Sequence, residues 1–569
     1  MNILSLYPWT HISSSALLVN GKLVAASAEE RFNKEKWSTK FPIKSSEWCL
    51  KQAGISWDDL DYIVIPWNPA HNIHSSNSRW DSNIVWRGQM LSHIPTNLMK
   101  AQNQKVPSRM YLSYGNTNII YVNHHDSHAA SAAYVSNFEN CDYLIIDGHG
   151  ESESCTYGFF DGKKLNKKGY VMYPHSVGLF YGAFTNFLGF VPDKDEWKTM
   201  ALASYSKSKN IYDNKILKLY KLTNDGFELE LTYFDYYLFD KKPAFYNKKF
   251  AKLFGSPRLK NEKIVKKHFE IAGALQRAFE KIVTHLLKIT KKNGNSNNIV
   301  LAGGAAMNCV FNGKLNKLKF YKNNFVPPWP DDLGVTIGAA YFVDNEKSKN
   351  ANLKKYKKIN VYTGPKFSDN EILDALKKYK LKYKLSNNIF KDTAEYLAQN
   401  KLVGWFQDNM EFTHRALGNR SILADPRSKE IKKIINSAVK YREDFRPFAP
   451  AVLDEFAYKI FDIKKNEKLD FMQKAVTVRR EWRKKIQGVT HSDNTARVQT
   501  VNDQSNSKFY RLISEFYKIT KIPVLVNTSF NLNGQPIVTD PEDAIKTFYT
   551  CGLDYLVMGN YIVSKDEKI

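Results

Sequence analysis

Strand-length apolar runs alternate with stretches of helical periodicity from the first residue to about residue 345, and this alternation confines the chain to an α/β architecture. NILSLYP reads as an opening strand. ALLVNGKLVAAS reads as a hairpin turning at Asn20-Gly21, because that dipeptide accepts the positive φ angles of a two-residue turn. LDYIVIPW, NIIYV and YLIIDG are further buried-strand candidates, and Glu262 to Thr290 carries helical periodicity. NIVLAGGAAMN then reads as strand, tight glycine turn and helix start, an order that often binds phosphate.

A Tyr-, Phe- and Lys-rich stretch near residues 207–262 interrupts the alternation as an insertion, either an acceptor-binding subdomain or a packed aromatic segment. From Asn345 to Lys358 the chain turns Lys- and Asn-rich, as a linker does. The boundary expected is therefore a first domain over 1–358 and a second α/β domain over 359–569. The 569 residues, 43% of them hydrophobic, suffice for two or three domains with a core each.

Composition removes several classes. No apolar run reaches the roughly 18 residues of a membrane span, and the start MNILSLYPWTHISSSALLV lacks the order of a secretory signal. No membrane partner is therefore expected; Cys49, Cys141, Cys155, Cys309 and Cys551 form no C-x-x-C pair of a zinc site or redox dithiol, which fits a reducing cytoplasm. The formal net charge of +26 has two readings: a field that attracts polyanions, or a Lys-rich composition whose charges are simply solvated.

Three segments of the first domain carry chemistry. Asn123-His124-His125-Asp126-Ser127-His128 follows the strand NIIYV, and on a helix His124 and His128 share one face at a spacing that can hold a metal ion. A third ligand could come from Asp331 or Asp332 in PPWPDDLGVTIGAA, giving a two-His, one-carboxylate facial set suited to iron; a helix cap is the alternative. Asp147-Gly148-His149-Gly150-Glu151 ends a strand with a carboxylate where magnesium-bound phosphate could rest. Gly303-Gly304-Ala305-Ala306-Met307-Asn308 permits close backbone approach to a nucleotide.

In the second domain, GWFQDNMEFTHRALGNRSILADPR, NSAVKYREDFRPFAPAVLDE, VTHSDNTARVQTV and IPVLVNTSFNLNGQPIVTDPEDAI place arginines and a lysine at the ends of short apolar runs. Recognition of a small phosphate ester requires such groups, since Arg binds phosphate oxygens bidentately.

The ordered segments HISSSALLVNGKLVAASAEERF, HHDSHAASAAY, IIDGHGES, DEWKTMALASY, VLAGGAAMNCVFN and DDLGVTIGAA, with those of the second domain, resemble the O-carbamoyltransferase family of the nodulation-factor, cephalosporin and aminoglycoside type. The resemblance implies an N-terminal ASKHA (actin/Hsp70-like) domain and a C-terminal YrdC-like α/β domain. It implies that His124, His128 and Asp332 hold a divalent metal, Fe2+, and that Gly303, Gly304 and Asn308 line a nucleotide pocket beside Asp147 and Mg2+. His11 would be the base beside the transferring group. Arg415, Lys440, Arg446 and Arg497 would bind carbamoyl phosphate and ATP phosphates, with His491, Asn527 and Ser529 lining the pocket. Carbamoyl adenylate would form in the second domain and be attacked by an acceptor hydroxyl in the first. Two departures stand out: His11 is followed by Ile12 where the family carries Asp, and Thr413-His414 replaces the family's Gly-Pro before Arg-Ala-Leu-Gly. The second leaves the loop at Arg415 less constrained in backbone.

The resemblance does not choose the acceptor. Arg479-Arg480-Glu481-Trp482-Arg483-Lys484-Lys485 packs cations around a tryptophan, and the insertion interleaves rings with lysines, which favours a polynucleotide acceptor such as 5-hydroxymethylcytosine in DNA. A sugar or other small-molecule hydroxyl is the runner-up. A catalytically inactive nucleotide-binding module is a third reading, motivated by Ile12 and Thr413-His414.

Overall fold

The computed structural model describes residues 1–8, 12–68, 113–114, 117–206, 208–237, 244–348 and 359–565. They form two units, one of Met1–Glu29, Ser38–Asn308 and Lys314–Ile359, the other of Glu30–Trp37, Cys309–Gly313 and Asn360–Ile569.

The first unit uses one strand plan twice. β1 (Asn2–Tyr7), β2 (Ser14–Val19) and β3 (Lys22–Ala28) run antiparallel to their neighbours, and Asn20 and Gly21 take φ of 50° and 74° in the turn that joins β2 to β3. On the other side of β1 lie the parallel strands β4 (Tyr62–Ile65) and β6 (Thr117–Tyr121), with β5 (Ser113–Tyr114) at the edge. The second sheet repeats this order. β7 (Cys141–Ile146), β8 (Glu153–Phe160) and β9 (Leu165–Met172) form an antiparallel meander. A small hairpin, β10 (Tyr220–Leu222) with β11 (Phe227–Leu229), belongs to the insertion, and β12 (Asn298–Ala302) and β13 (Asn323–Phe325) then add to β7 in parallel. Two such sheets, each with three antiparallel strands continued by parallel ones, make an ASKHA-type domain.

Two helices occupy the space between the sheets. α1 (His124–Ala133) packs on β7 and β12, and α3 (Asp332–Lys347) packs on β1, β2 and β4; the two also pack on each other. Their sequences explain the fit. α1 is HHDSHAASAA, with only small side chains after its histidines, and Gly338 of α3 lies flush against it: a Cβ there would stand 1.9 Å from the Ser127 carbonyl oxygen. Leu4, Leu6, Leu17, Ile63 and Ile65 share a core with Cys49 and Leu50 of the helix Ile43–Ala53, to which Val335 of α3 also belongs, while Tyr7 and Ser14 bond Asp332 and Thr336 of α3. α2 (Lys266–Asn293) is the long helix that the periodicity of 262–290 predicts.

The linker expected from Asn345 starts later, because α3 continues through Lys347 and Asn345 Nδ2 donates to the Lys163 carbonyl oxygen at 3.0 Å; residues 349–358 lie outside the described residues.

In the second unit an eight-stranded mixed sheet is built from β14 (Lys384–Leu385), β15 (Val403–Phe406), β16 (Arg420–Ala424), β17 (Ala449–Leu453), β20 (Gln499–Val501), β21 (Val524–Ser529), β22 (Tyr555–Met558) and β23 (Tyr561–Ser564). Their order is β14-β23-β22-β15-β16-β21-β17-β20, and β18 (Ala475–Thr477) pairs separately with β19 (Thr495–Arg497). FAPAVL and VLVNTSF, read as buried runs, become the neighbouring strands β17 and β21. Trp405, Ile422, Phe509 and Phe516 are among the side chains of the core that covers this sheet.

Candidate active site

At the N-terminal end of α1, His124 and His128 sit one turn apart with their Nε2 atoms 3.2 Å from each other. Asp332, the first residue of α3, brings Oδ1 to 3.5 Å from both nitrogens. Asp147, just beyond β7, brings Oδ2 to 3.3 Å from His124 and 3.7 Å from His128. All four donor atoms lie within 4.8 Å of one another, and all four residues are buried. Ligand bonds of about 2.1 Å subtend edges of about 3 Å, so the four donors already stand close to a coordination shell.

What holds each donor explains why the set fits a cation. The Asp147 Oδ1 atom accepts from the Gly304 backbone N–H at 2.7 Å, which leaves Oδ2 for the site. The Asp332 Oδ2 atom accepts from the Tyr7 hydroxyl at 3.1 Å, which leaves Oδ1. His124 Nδ1 lies 3.2 Å from the Pro66 carbonyl oxygen, and donation to that oxygen would put the free lone pair on Nε2. Burial alone would push the Asp147 carboxyl up, but its hydrogen bonds with His124 and His128 outweigh this and hold it well below the usual range. Two imidazoles and two anchored carboxylates, shut away from water, form a donor set for a first-row divalent ion. Glu151 completes the frame: its Oε1 atom accepts from the His124 backbone N–H at 2.9 Å, capping α1 where Asn123 makes no side-chain cap.

The three-ligand facial set therefore becomes a four-donor set. Asp332 rather than Asp331 belongs to it, and Asp147, expected beside nucleotide phosphate, joins as the fourth donor. The signal for Asp147 was its place at the end of β7; its orientation depends on Gly304, far along the chain. Gly303 has φ 93°, and a Cβ there would lie 2.2 Å from the Ile146 carbonyl oxygen, so its freedom serves the approach to β7. The Asn308 side chain, expected in the nucleotide pocket, exchanges amide hydrogen bonds with Gln276 at 2.9 and 3.1 Å. His11 lies outside the described residues.

In the second unit the basic side chains gather with few carboxylates. Lys440 is buried, and its Nζ atom donates to the Ser529 and Asn531 carbonyl oxygens at 2.5 and 2.9 Å and to Asn531 Oδ1 at 2.8 Å. Burial, then the neighbouring Arg442, Lys36 and Arg446 charges, push its ammonium well below the usual lysine range. Arg442, which the sequence reading did not single out, lies over the Phe448 ring at 4.7 Å; burial and then Arg446 lower it to about 9. Asn531 was also missed, although it follows Ser529 by two residues. Arg446 is buried and bonds Glu443 at 3.0 Å, while Arg497 is lowered by burial and its Nε atom has no hydrogen-bond partner among the described residues. Asn527 Oδ1 is likewise buried with no hydrogen-bond partner among the described residues, and Asn527 Nδ2 donates to the Ala416 carbonyl oxygen at 3.1 Å, next to Arg415. Burial first, and neighbouring cations after it, lower Lys440 and Arg442, a balance that a bound anion would reverse.

Among the described residues, several side chains of the segments that favoured a polynucleotide acceptor are held within their own units, while Arg480, Lys484 and Lys485 are exposed. Within the insertion Phe227, Phe234, Phe250 and Phe254 are buried, and Phe234, Phe250 and Phe254 pack edge-on or tilted around Phe180, Phe184 and Phe187. In the basic run, Arg479 Nε donates to the Tyr458 and Phe461 carbonyl oxygens, Arg483 Nε donates to the Val478 oxygen, and Trp482 packs on the core of its unit.

A buried His/Asp centre lies in one α/β unit, and the buried Lys440 and Arg446 lie in the other. The chain's residues 2–341 match the family model described as carbamoyltransferase N-terminus, and residues 394–565 match carbamoyltransferase C-terminus. It is 34% identical to an uncharacterized protein of Synechocystis over 100% of this chain and 97% of that protein. It is 33% identical to nodulation protein NolNO of Sinorhizobium fredii over 98% of this chain and 79% of the relative. Among solved structures, the activator of 2-hydroxyisocaproyl-CoA dehydratase from Clostridium difficile, with bound ADPNP, aligns at TM-score 0.32 and 14% identity over 62% of this chain and 100% of that one. The chain belongs to the carbamoyltransferase family, and it is an enzyme.

Proposed function

We propose that the protein uses ATP and carbamoyl phosphate to carbamoylate the hydroxyl of a sugar or other small molecule. The observation that carries this is the convergence of His124, His128, Asp147 and Asp332 in a chain whose two halves match the two parts of a carbamoyltransferase. In the second unit Arg415, Lys440, Arg442, Arg446 and Arg497 bind the phosphates of both co-substrates, and His491, Asn527 and Ser529 line the pocket. There water cleaves carbamoyl phosphate to carbamate and inorganic phosphate, and a carbamate oxygen attacks the α-phosphorus of ATP, forming carbamoyl adenylate as the bond to pyrophosphate breaks. That domain is YrdC-like.

In the first unit His124, His128, Asp147 and Asp332 would hold a divalent ion such as Fe2+, which would supply Lewis-acid chemistry when bound. Gly303 and Gly304 keep Asp147 in line, and Mg2+ accompanies the nucleotide. The acceptor's oxygen attacks the carbonyl carbon, its proton goes to His11, and AMP leaves. Water is excluded by the burial of the centre, which preserves the mixed anhydride. The five cysteines are all free thiols, and no helix among the described residues is long and apolar enough to cross a membrane, in keeping with a cytoplasmic enzyme.

The packing of the insertion's rings supports the small-molecule acceptor, and the polynucleotide reading keeps the net charge and the exposed Arg480, Lys484 and Lys485. Incubation with ATP, carbamoyl phosphate and Fe2+ should release AMP and pyrophosphate, and mass spectrometry of a hydroxyl panel should find one carbamoyl increment on a sugar. Asp147→Asn should lose metal as completely as Asp332→Asn does, measured by elemental analysis. No AMP release under any divalent ion would remove the reading; salt-sensitive binding of duplex DNA with carbamoylated base would replace the acceptor.

A further inference from the structure

The loop that presents Arg415 lacks the Gly-Pro of the family and is braced by side chains instead. Thr413 Oγ1 accepts from the Arg415 backbone N–H at 2.9 Å and donates to the Arg415 carbonyl oxygen at 2.7 Å, closing a small ring around the backbone of that residue. Downstream, Glu411 Oε1 accepts from the Leu417 and Asn419 N–H groups at 2.7 Å each. Between these two braces His414 and Arg415 are half-buried, and the His414 ring meets Trp37, with ring centroids 5.5 Å apart and planes 36° from parallel.

Trp37 comes from the early segment Glu30–Trp37, which packs with the second unit although its chain neighbours on both sides belong to the first. The segment is held firmly in an unusual shape. Trp37 and Lys34 are non-glycine residues at φ 59° and 61°, a left-handed conformation that residues with a Cβ rarely adopt. The buried Glu30 accepts from the Trp37 backbone N–H at 2.8 Å and pairs with Arg31 at 3.0 Å, while Lys34 bonds Asp540 at 2.9 Å. Left-handed strain that a buried carboxylate and an ion pair maintain fixes where the indole stands.

We propose that Trp37 is a positioning residue for Arg415: by packing on His414 it supplies the rigidity that a proline would otherwise give, and so sets the guanidinium for the phosphate of carbamoyl phosphate. This rests on the assignment of Arg415 to the anion site, through which Trp37 acts.

The test titrates carbamoyl phosphate into full-length protein by calorimetry and follows ATP-dependent AMP release, with Trp37→Ala, Trp37→Phe, His414→Ala, the Trp37→Ala/His414→Ala double variant and Arg415→Ala. Trp37→Ala should weaken carbamoyl phosphate binding about tenfold, the order of one charge-assisted hydrogen bond lost or misaligned, with KM for carbamoyl phosphate rising alike and kcat changed far less. Trp37→Phe should restore binding, and the double variant should bind no worse than the worse single one, since both act through one contact. Unaltered binding in Trp37→Ala, additive losses in the double variant, or a loss that tracks a fall in unfolding midpoint would overturn the positioning role. If Arg415→Ala binds carbamoyl phosphate as the unaltered protein does, the pocket assignment itself fails and the role falls with it; if only the Trp37 variants are silent, the pocket stands and the brace does not.

Discussion

His491 shows how far a single side chain in the anion site departs from its behaviour in water. Burial dominates and lowers it from 6.5 to about 4; Asp493 pulls the other way, while Arg497 and Lys432 reinforce the shift. The sign of the consequence is set by proton counting. Between pH 4 and 6.5 the unfolded chain holds a proton on this ring that the native protein does not, so acidification favours unfolding. The contribution is fully present above 6.5 and is lost as pH falls through the native value. Chemical denaturation at a series of pH values should therefore show the unaltered protein losing stability, relative to His491→Gln, as pH drops from 7 toward 4. A difference between the two that stays flat across that window would show that the ring titrates normally. Saturating phosphate should shrink the difference, because an anion among Arg497 and its neighbours favours the imidazolium form.

At the scale of elements, the site depends on how closely two helices approach. Gly338 of α3 meets α1 so tightly that a methyl group would stand 1.9 Å from the Ser127 carbonyl oxygen and 2.7 Å from the Ser131 nitrogen. Gly338→Ala must push the helices apart, at a cost of about 1–3 kcal/mol for an overpacked contact. Because α1 carries His124 and His128 and α3 opens with Asp332, the same displacement opens the donor set. Metal affinity should fall at least about tenfold, a loss typical of a disturbed supporting shell, while the second unit's binding of carbamoyl phosphate is untouched. Metal affinity unchanged in a destabilised Gly338→Ala protein would show that the donors do not depend on the helix contact. This dependence also marks the limit of what sequence reveals. The hairpin at Asn20-Gly21, the strands and the pairing of His124 with His128 are local matters, and they were legible. The place of Asp147 was not, because Gly304 orients it from 157 residues away. The fate of the insertion's rings was not legible either, since Phe and Tyr interleaved with Lys describe a core rimmed by solvated ammonium groups as well as a nucleic-acid surface.

For the whole molecule, the division of the chain into units does not follow the order of the sequence. A linear reading cuts near residue 358, yet Glu30–Trp37 and Cys309–Gly313 cluster with Asn360–Ile569. Each segment is tied in by specific contacts: Trp37 packs on His414, Lys34 bonds Asp540, and Asn312 Nδ2 donates to the Gln473 carbonyl oxygen at 3.0 Å. Gly313 lies so near β18 that a Cβ would stand 1.8 Å from the Ala475 carbonyl oxygen, and Phe311 beside it is 1% exposed. A chain cut to 360–569 leaves those surfaces without their covering. Loss of one buried phenylalanine's partners alone removes about 1.5–3 kcal/mol, a large share of what a domain of that size has to spare. The fragment should therefore unfold at lower denaturant than the corresponding transition of the full chain, and it should bind carbamoyl phosphate more weakly, because the Trp37 brace is gone. Restoring Cys309–Gly313 through a short linker should recover stability but not affinity, whereas restoring Glu30–Trp37 should recover affinity. A fragment that matches the full chain in both respects would mean that the two segments ride on the second unit without supporting it.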